Sequence, residues 1–323
     1  MTISKMDDGI YIDNAKPLND VDAIIFDCDG VLIDVTNSYD EAIIKTSDYF
    51  LKKFANIANP IQINGQIIDA FKKTGGFNDE VDLTYASIIS LIAAHKLNKD
   101  GVEFIFQVIK NADETGIKSV EKYLDTLDVD ISEIKKKLDY PGRHSDNPLY
   151  SVFDQLFYGP ELYQKLFKKK SQFTESGFIE KDKVIVTKEL LQKLKKKFNQ
   201  NIAIVTGRGY DSISYSLKEI LEQFNVKNSV FLEDEPRDLA KPNPESLLRS
   251  IKDLNSSHTI FVGDSMEDFI MAKKATENGN KTTFCGIVGT SNEPDEKRKF
   301  FEKNGATLIL DSIQLIPKAL NLV

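Results

Sequence analysis

The sequence contains little of the chemistry that marks secreted or membrane proteins. It has only two cysteines, Cys28 and Cys285, and no CxxC pair. A disulfide framework is therefore excluded, and a cytoplasmic location is expected. Three histidines are present, and neither His95 nor His258 stands in a pattern typical of a metal triad. No apolar run approaches the roughly 20 residues needed to span a bilayer, and residues 1–20 lack the apolar stretch of a signal peptide.

Positive charge is also in deficit. The chain of 323 residues carries 42 Lys and Arg against 50 Asp and Glu, for a formal net charge of -8. An acidic surface disfavours a general nucleic-acid binder, and the lysine runs at 168–170 and 195–197 are more typical of solvated helix faces. With 41% hydrophobic and 28% charged residues, the composition indicates a soluble globular protein of two domains or one large one.

Short apolar runs alternate with helical periodicity over much of the chain. The first run, 21–26, leads into Asp27 in the string VDAIIFDCDG, as a buried strand followed by a loop does. Further strands are predicted at 201–205, 229–232, 258–262, 281–287 and 306–310. Helices are predicted between them at 188–198, 212–224, 244–254, 268–278 and 294–304. This alternation predicts an α/β fold with a parallel sheet covered by helices on both faces.

The stretch between the first two predicted strands has a different pattern. Few strand signals occur in residues 34–177, and apolar residues recur there at helical spacing. Helices are predicted at 39–54, 64–71, 81–95, 101–111, 119–127, 131–138, 151–157 and 159–169. We therefore predict an all-helical domain, 34–177, inserted after the first strand into a core made of 1–33 and 178–323.

Acids, a hydroxyl and a glycine stand where the predicted strands end. The first strand is followed by Asp27 and Asp29, the second by Thr206 and Gly207, and the fourth by Asp264, with Asp268 one helical turn later. Lys241 lies between the third and fourth strands. Because the carboxyl ends of parallel strands share one edge of the sheet, these residues are expected to converge there. Taken singly, each has an ordinary structural explanation, such as a loop or a helix N-cap.

Converging carboxylates repel each other, and a hard divalent cation relieves that repulsion. Magnesium prefers oxygen ligands and commonly bridges to a substrate phosphate, so Asp27 and Asp264 are the predicted side-chain ligands. Lys241, the Thr206 hydroxyl and backbone N–H groups near Gly207 can hold phosphoryl oxygens. Asp29 can protonate a leaving alcohol and later deprotonate a water.

The order of these segments resembles the haloacid dehalogenase superfamily of hydrolases. The four motifs of that family correspond here to DCDGVL at 27–32, IAIVTGR ending at Arg208, Lys241-Pro242, and VGDSMED at 262–268. The resemblance implies a Rossmann-like core with a helical C1-type cap, as in subfamily I, and a Mg²⁺ cofactor. The chain also resembles, more distantly, an uncharacterised subgroup of this family seen in archaea and cyanobacteria.

The resemblance also implies roles for single residues. Asp27 would form a phosphoaspartate, and Asp29 would act as acid and base and give its backbone carbonyl to magnesium. Thr206 and Lys241 would hold the phosphoryl group. Asp264 would ligate magnesium, with Asp268 assisting it or orienting Lys241. Dehalogenases of the family lack the second aspartate of the first motif, so Asp29 favours phosphate chemistry.

The cap of such enzymes selects the leaving group. Candidate cap residues are Asn78, Asp79, Asp82, Arg143 and His144, and Arg208 of the core is expected to contact either substrate or an acid. The predicted partner is a small phosphorylated metabolite, which makes the protein a phosphatase. A phosphomutase using the same motifs and a catalytically silent interaction protein are the alternatives. The apolar stripes of the insert leave a homodimer open.

Overall fold

The computed structural model describes residues 4–13, 18–55, 57, 60–77, 79–142 and 146–322. The chain divides into two compact units. One unit consists of Met1–Thr36 with Asp182–Val323, and the other is Asn37–Lys181. The predicted domain borders are 33/34 and 177/178, and the assignment of the second unit as a cap stays a prediction.

Within the described residues, the strands are β1 Ser4–Asp7, β2 Ile10–Ile12, β3 Ala23–Phe26, β4 Ile33–Asp34, β5 Lys183–Val184, β6 Ile202–Thr206, β7 Val230–Phe231, β8 Thr259–Gly263, β9 Thr282–Ile287 and β10 Leu308–Leu310. The α-helices of those residues are α1 Thr36–Ala55, α2 Gly65–Lys73, α3 Glu80–Lys96, α4 Gly101–Lys110, α5 Ile117–Asp125, α6 Ser132–Leu138, α7 Pro148–Phe167, α8 Lys188–Phe198, α9 Tyr210–Leu217, α10 Glu245–Asp253, α11 Met266–Glu277, α12 Pro294–Asn304 and α13 Ile316–Ala319.

The first unit is built on one sheet with the strand order β1-β2-β10-β9-β8-β3-β6-β7. The strands from β10 to β7 are parallel, and β3 lies between β8 and β6. The side chains of β3 alternate between two apolar layers. Ile24 and Phe26 pack with α8, α9 and α13 on one face, and Ala23 and Ile25 pack with α10, α11 and α12 on the other. The predicted α/β architecture is confirmed, and burial on both faces explains why these strands are apolar throughout.

The beginning of the chain adds strands that the sequence pattern did not predict. β1 and β2 form an antiparallel hairpin that extends the sheet beside β10. β3, taken from the sequence as the first strand, is therefore the third along the chain. The segments that lead into and out of the helical unit also pair, since β4 and β5 form a separate two-stranded antiparallel sheet.

The second unit contains α1 to α7 around its own apolar core. Helix α3 lies at its centre and is buried at 13 positions, from Val81 to Ala94. Helix α7 is kinked at Gly159, where φ is 72° and Pro160 follows. The buried apolar side chains of this unit form a cluster separate from those on the two faces of the sheet. None of the helices in the described ranges is long and apolar enough to cross a membrane.

Candidate active site

Asp27 follows β3 at the carboxyl edge of the sheet. Its backbone N–H donates to Val262 O of β8 at 2.8 Å, and the residue is only 6% exposed. The chain then turns sharply, because the amides of Val31, Leu32 and Ile33 all donate to Cys28 O. Gly30 takes φ +71° in this turn, and a Cβ there would lie 2.5 Å from Cγ of Asp264. The turn therefore brings the backbone after Asp27 against the loop after β8.

Lys241 joins two of the acids. Its Nζ lies 2.7 Å from Asp27 Oδ1 and 2.7 Å from Asp268 Oδ1. All three side chains are almost fully buried. Burial by itself would lower the pKa of Lys241, but Asp268 and Asp27 raise it well above its ordinary value. The lysine is therefore a cation held between two carboxylates, and its binding of a phosphoryl group stays a prediction.

The carboxylates of Asp27, Asp264 and Asp268 each offer an oxygen within 4.8 Å of the other two. Burial raises the pKa of Asp27 to about 8, Lys241 opposes that shift, and Asp268 and Asp264 add to it. Such a cluster is unfavourable without further positive charge. Clustered carboxylate oxygens are also the donors that Mg²⁺ prefers, so these residues fit the cation that the sequence predicts.

Asp268 also has a structural function. Ser265 is the N-cap of α11, and its hydroxyl accepts from the amide of Asp268 while Asp268 Oδ2 accepts from Ser265. This capping box fixes the start of the helix. It also leaves Asp268 Oδ1 directed at Lys241. Asp268 therefore caps the helix and contacts Lys241, and its function at a metal site stays a prediction.

Thr206 ends β6 and is 1% exposed, and Gly207, the next residue, is exposed. The Arg208 guanidinium is buried beside acids, 3.1 Å from Asp29 Oδ1 and 2.9 Å from Asp182 Oδ2. Of the two contacts expected for Arg208, the structure contains the one with an acid. Asp182 was not predicted, because only the return of the chain from the helical unit brings it to this place.

Lys297 of α12 is a second lysine that the sequence did not single out. Its Nζ lies 2.7 Å from Asp264 Oδ2. In sequence it is one of several charged residues in the string PDEKRKFFEKN, which by itself reads as a solvated helix face. In the loop between β9 and α12, the hydroxyl of Thr290 donates to Gly30 O at 2.7 Å. The loop after β9 therefore contributes to the same edge of the sheet.

The predicted cap residues belong to the helical unit. Asp79 is the N-cap of α3 and accepts from the amide of Val81 at 2.8 Å. The Tyr150 hydroxyl donates to Asp79 Oδ2 at 3.4 Å, and that of Tyr140 donates to Asp82. These acids thus have structural partners, and their binding of substrate stays a prediction. Asn78, Arg143 and His144 lie outside the described residues.

Known proteins share the fold of this chain. The model of the haloacid dehalogenase-like hydrolases matches residues 172–276, which include Thr206, Lys241, Asp264 and Asp268. An X-ray structure from a structural genomics consortium has a TM-score of 0.63 at 18% identity, covering 93% of this chain and 98% of that one. The phosphatase Tt82 from Thermococcus thioreducens has a TM-score of 0.59 at 22% identity, covering 88% and 99%. At these identities the structures show a shared fold.

One curated relative has a different name. The imidazoleglycerol-phosphate dehydratase of Phytophthora nicotianae is 26% identical over 259 residues, which is 79% of this chain. This chain spans only 42% of that protein's length. The sheet topology and the order of the four motifs agree with the match of residues 172–276 to the haloacid dehalogenase-like hydrolases.

Proposed function

We propose that the protein is a magnesium-dependent phosphatase that hydrolyses the phosphomonoester of a small metabolite through a phosphoaspartate at Asp27. The observation that carries the proposal is the buried Lys241 bridge between Asp27 and Asp268, with Asp264 in the same carboxylate cluster. A nucleophilic carboxylate, a fixed cation and a set of metal-compatible oxygens are the parts that phosphoryl transfer needs. The phosphatase from Thermococcus thioreducens, which shares the fold, supports this choice.

Each chemical step is assigned to a residue of this chain. A carboxylate oxygen of Asp27 attacks phosphorus, and the bond from phosphorus to the leaving oxygen breaks. Asp29 gives that oxygen its proton and then takes one from the water that attacks the phosphoaspartate, which releases phosphate and restores Asp27. Lys241 and the Thr206 hydroxyl hold the phosphoryl oxygens. Bound Mg²⁺ would neutralise charge on phosphate, held by Asp27 and Asp264 with the Asp29 carbonyl, and Asp268 would assist.

Turnover of para-nitrophenyl phosphate with and without Mg²⁺ tests the proposal. We expect Mg²⁺-dependent phosphate release that Asp27→Asn abolishes, because an amide is a poor nucleophile. Asp22→Asn is the matched control, since Asp22 lies at the opposite end of β3 and binds Ser256 and Ser257. Equal turnover by the Asp27 variant and the wild type would refute the mechanism. A wild-type protein with no turnover would favour the silent interaction protein.

The identity of the substrate is a separate proposal. We assign substrate selection to the helical unit Asn37–Lys181, and a panel of phosphorylated metabolites would find the preferred compound. Nucleotides, sugar phosphates, amino-alcohol phosphates and phosphoglycolate belong in it. Imidazoleglycerol phosphate belongs there too, because the curated Phytophthora relative carries it in its name. Retention of the phosphoryl group on an isomerised product would identify a phosphomutase.

A further inference from the structure

Arg208 is a buried cation that reaches the predicted acid and base. Its side chain is 4% exposed, and the same Nη1 atom donates to Asp29 Oδ1 at 3.1 Å and to Asp182 Oδ2 at 2.9 Å. Asp182 is equally buried, whereas the Asp29 side chain is 26% exposed. Burying a guanidinium is costly unless it is paired and hydrogen-bonded. Asp182 supplies that compensation in the interior, while Asp29 is the partner that reaches the accessible edge of the sheet.

The orientation of the guanidinium is set by further contacts on α9. Arg208 Nε donates to Ser212 Oγ at 3.0 Å, and Nη2 donates to Ser216 Oγ at 3.2 Å. The Ser216 hydroxyl in turn donates to Asp182 Oδ2 at 2.8 Å. Ser212 and Ser216 are four residues apart, so they lie on one face of the helix. Because guanidinium is a rigid planar fork, contacts on three of its nitrogens fix its plane.

Asp29 lies in the turn after β3, and one of its carboxyl oxygens accepts a hydrogen bond from Arg208 Nη1. A proton donor must lie within hydrogen-bond reach of the leaving oxygen, and small displacements of such groups cost rate. We propose that Arg208, held by Asp182, Ser212 and Ser216, is a positioning residue that sets the orientation of the Asp29 carboxyl group for proton transfer. This inference rests on the proposed phosphatase activity and assigns Arg208 a role other than substrate binding.

Arg208 itself exchanges no proton in this scheme. As the bond from phosphorus to oxygen breaks, Asp29 transfers its proton to the leaving oxygen, and the proton of the attacking water restores it. A leaving group of low basicity, such as nitrophenolate, depends little on this proton. The more basic phenolate depends on it strongly. If the Asp29 carboxyl group loses its orientation, phosphoryl transfer from phenyl phosphate is therefore expected to slow more than transfer from para-nitrophenyl phosphate.

The test measures kcat and KM for both esters in the full-length protein with Mg²⁺. The variants are Arg208→Lys, Arg208→Met and the double variant Arg208→Met/Asp182→Asn, which removes both buried charges together. The control is Arg249→Met, because Arg249 is 41% exposed and pairs with Glu235. General acid catalysis contributes roughly 10²- to 10⁴-fold. In the Met variants we therefore expect the ratio of kcat/KM for phenyl phosphate to kcat/KM for para-nitrophenyl phosphate to fall at least about tenfold. Arg208→Lys should restore part of the ratio.

The outcomes separate positioning from other roles. An equal fall in kcat/KM for both esters would overturn the proposal, because kcat/KM reports the step in which the leaving group departs. A rise in KM with kcat unchanged would also overturn it, since that indicates substrate binding. If the single Met variant does not fold, the double variant and Arg208→Lys decide the ratio. An active Asp27→Asn protein would instead remove the proposed function, whereas a wild-type ratio in active Arg208 variants would remove only the positioning role.

Discussion

Replacing Asp27 with asparagine should make the metal-free protein more stable. Burial raises the pKa of Asp27 from 3.8 to about 8, against the opposing attraction of Lys241 and with the help of Asp268 and Asp264. The folded protein therefore holds this proton more tightly than the unfolded chain does. The resulting stability is complete below pH 3.8 and is lost progressively as pH rises towards 8. Asparagine resembles the protonated acid, so the variant does not lose this stability as pH rises.

The size of the effect follows from the shift. One pKa unit corresponds to about 1.4 kcal/mol. The free energy of unfolding of the asparagine variant at pH 7 should therefore exceed that of the wild type by at most ~4 kcal/mol. Entry of water and small rearrangements around the carboxylates reduce it, and we expect about 1–3 kcal/mol. Magnesium should make the wild type the more stable of the two proteins. It binds the ionised carboxylate cluster of the folded wild type and thereby stabilises the folded state.

Urea unfolding with a chelator at pH 5 and pH 8 measures this difference. The difference in unfolding free energy between the asparagine variant and the wild type should widen from pH 5 to pH 8 and change sign when Mg²⁺ replaces the chelator. Asp22→Asn is again the control, since Asp22 accepts hydrogen bonds from Ser256, Ser257 and His258 and its loss should destabilise. A variant less stable than the wild type at both pH values, or a gap independent of pH, would contradict the account of the cluster.

Three further changes probe the surroundings of the acids. Gly30→Ala should weaken Mg²⁺ binding about 10- to 100-fold in calorimetry, because φ is +71° and the new Cβ would displace the Asp264 carboxyl group; unchanged affinity would count against the predicted ligand. Lys297→Met should tighten Mg²⁺ binding about fivefold by removing a cation worth ~1 kcal/mol that lies 2.7 Å from Asp264 Oδ2, and weaker binding would mean that the lysine assists the metal. Ser265→Ala should cost about 1 kcal/mol of stability in thermal unfolding through loss of the capping box with Asp268, whereas an unaltered melting temperature would show that the cap is dispensable.

The fold could be predicted where local signals and burial agree. Helices α8 and α12 begin and end as predicted, because Thr187 caps the first and Pro294 and Gly305 bound the second. The β1–β2 hairpin was missed, since Ser4–Asp7 is mostly polar, has no buried residue and becomes a strand through pairing with Ile10–Ile12. Here tertiary pairing determines the structure, and local propensity does not reveal it.

Some residues of the candidate site can also be predicted from the strand pattern, and others depend on tertiary packing. Asp27 and Asp264 lie together because parallel strands bring their carboxyl ends to one edge of the sheet, which the strand pattern alone implies. Asp268 follows in α11, and Lys241 contacts Asp27 and Asp268. Lys297 is different, because its contact with Asp264 depends on how α12 packs on the sheet, and its sequence neighbours are charged too.

Trapping of the phosphoenzyme tests the central claim most directly. Borohydride reduces an aspartyl phosphate to homoserine, which tandem mass spectrometry locates in the sequence. After mixing with Mg²⁺ and para-nitrophenyl phosphate, we expect homoserine at position 27 and none when the ester is omitted. Homoserine at another aspartate, or turnover with no reduced residue at position 27, would contradict the assignment of Asp27 as the nucleophile.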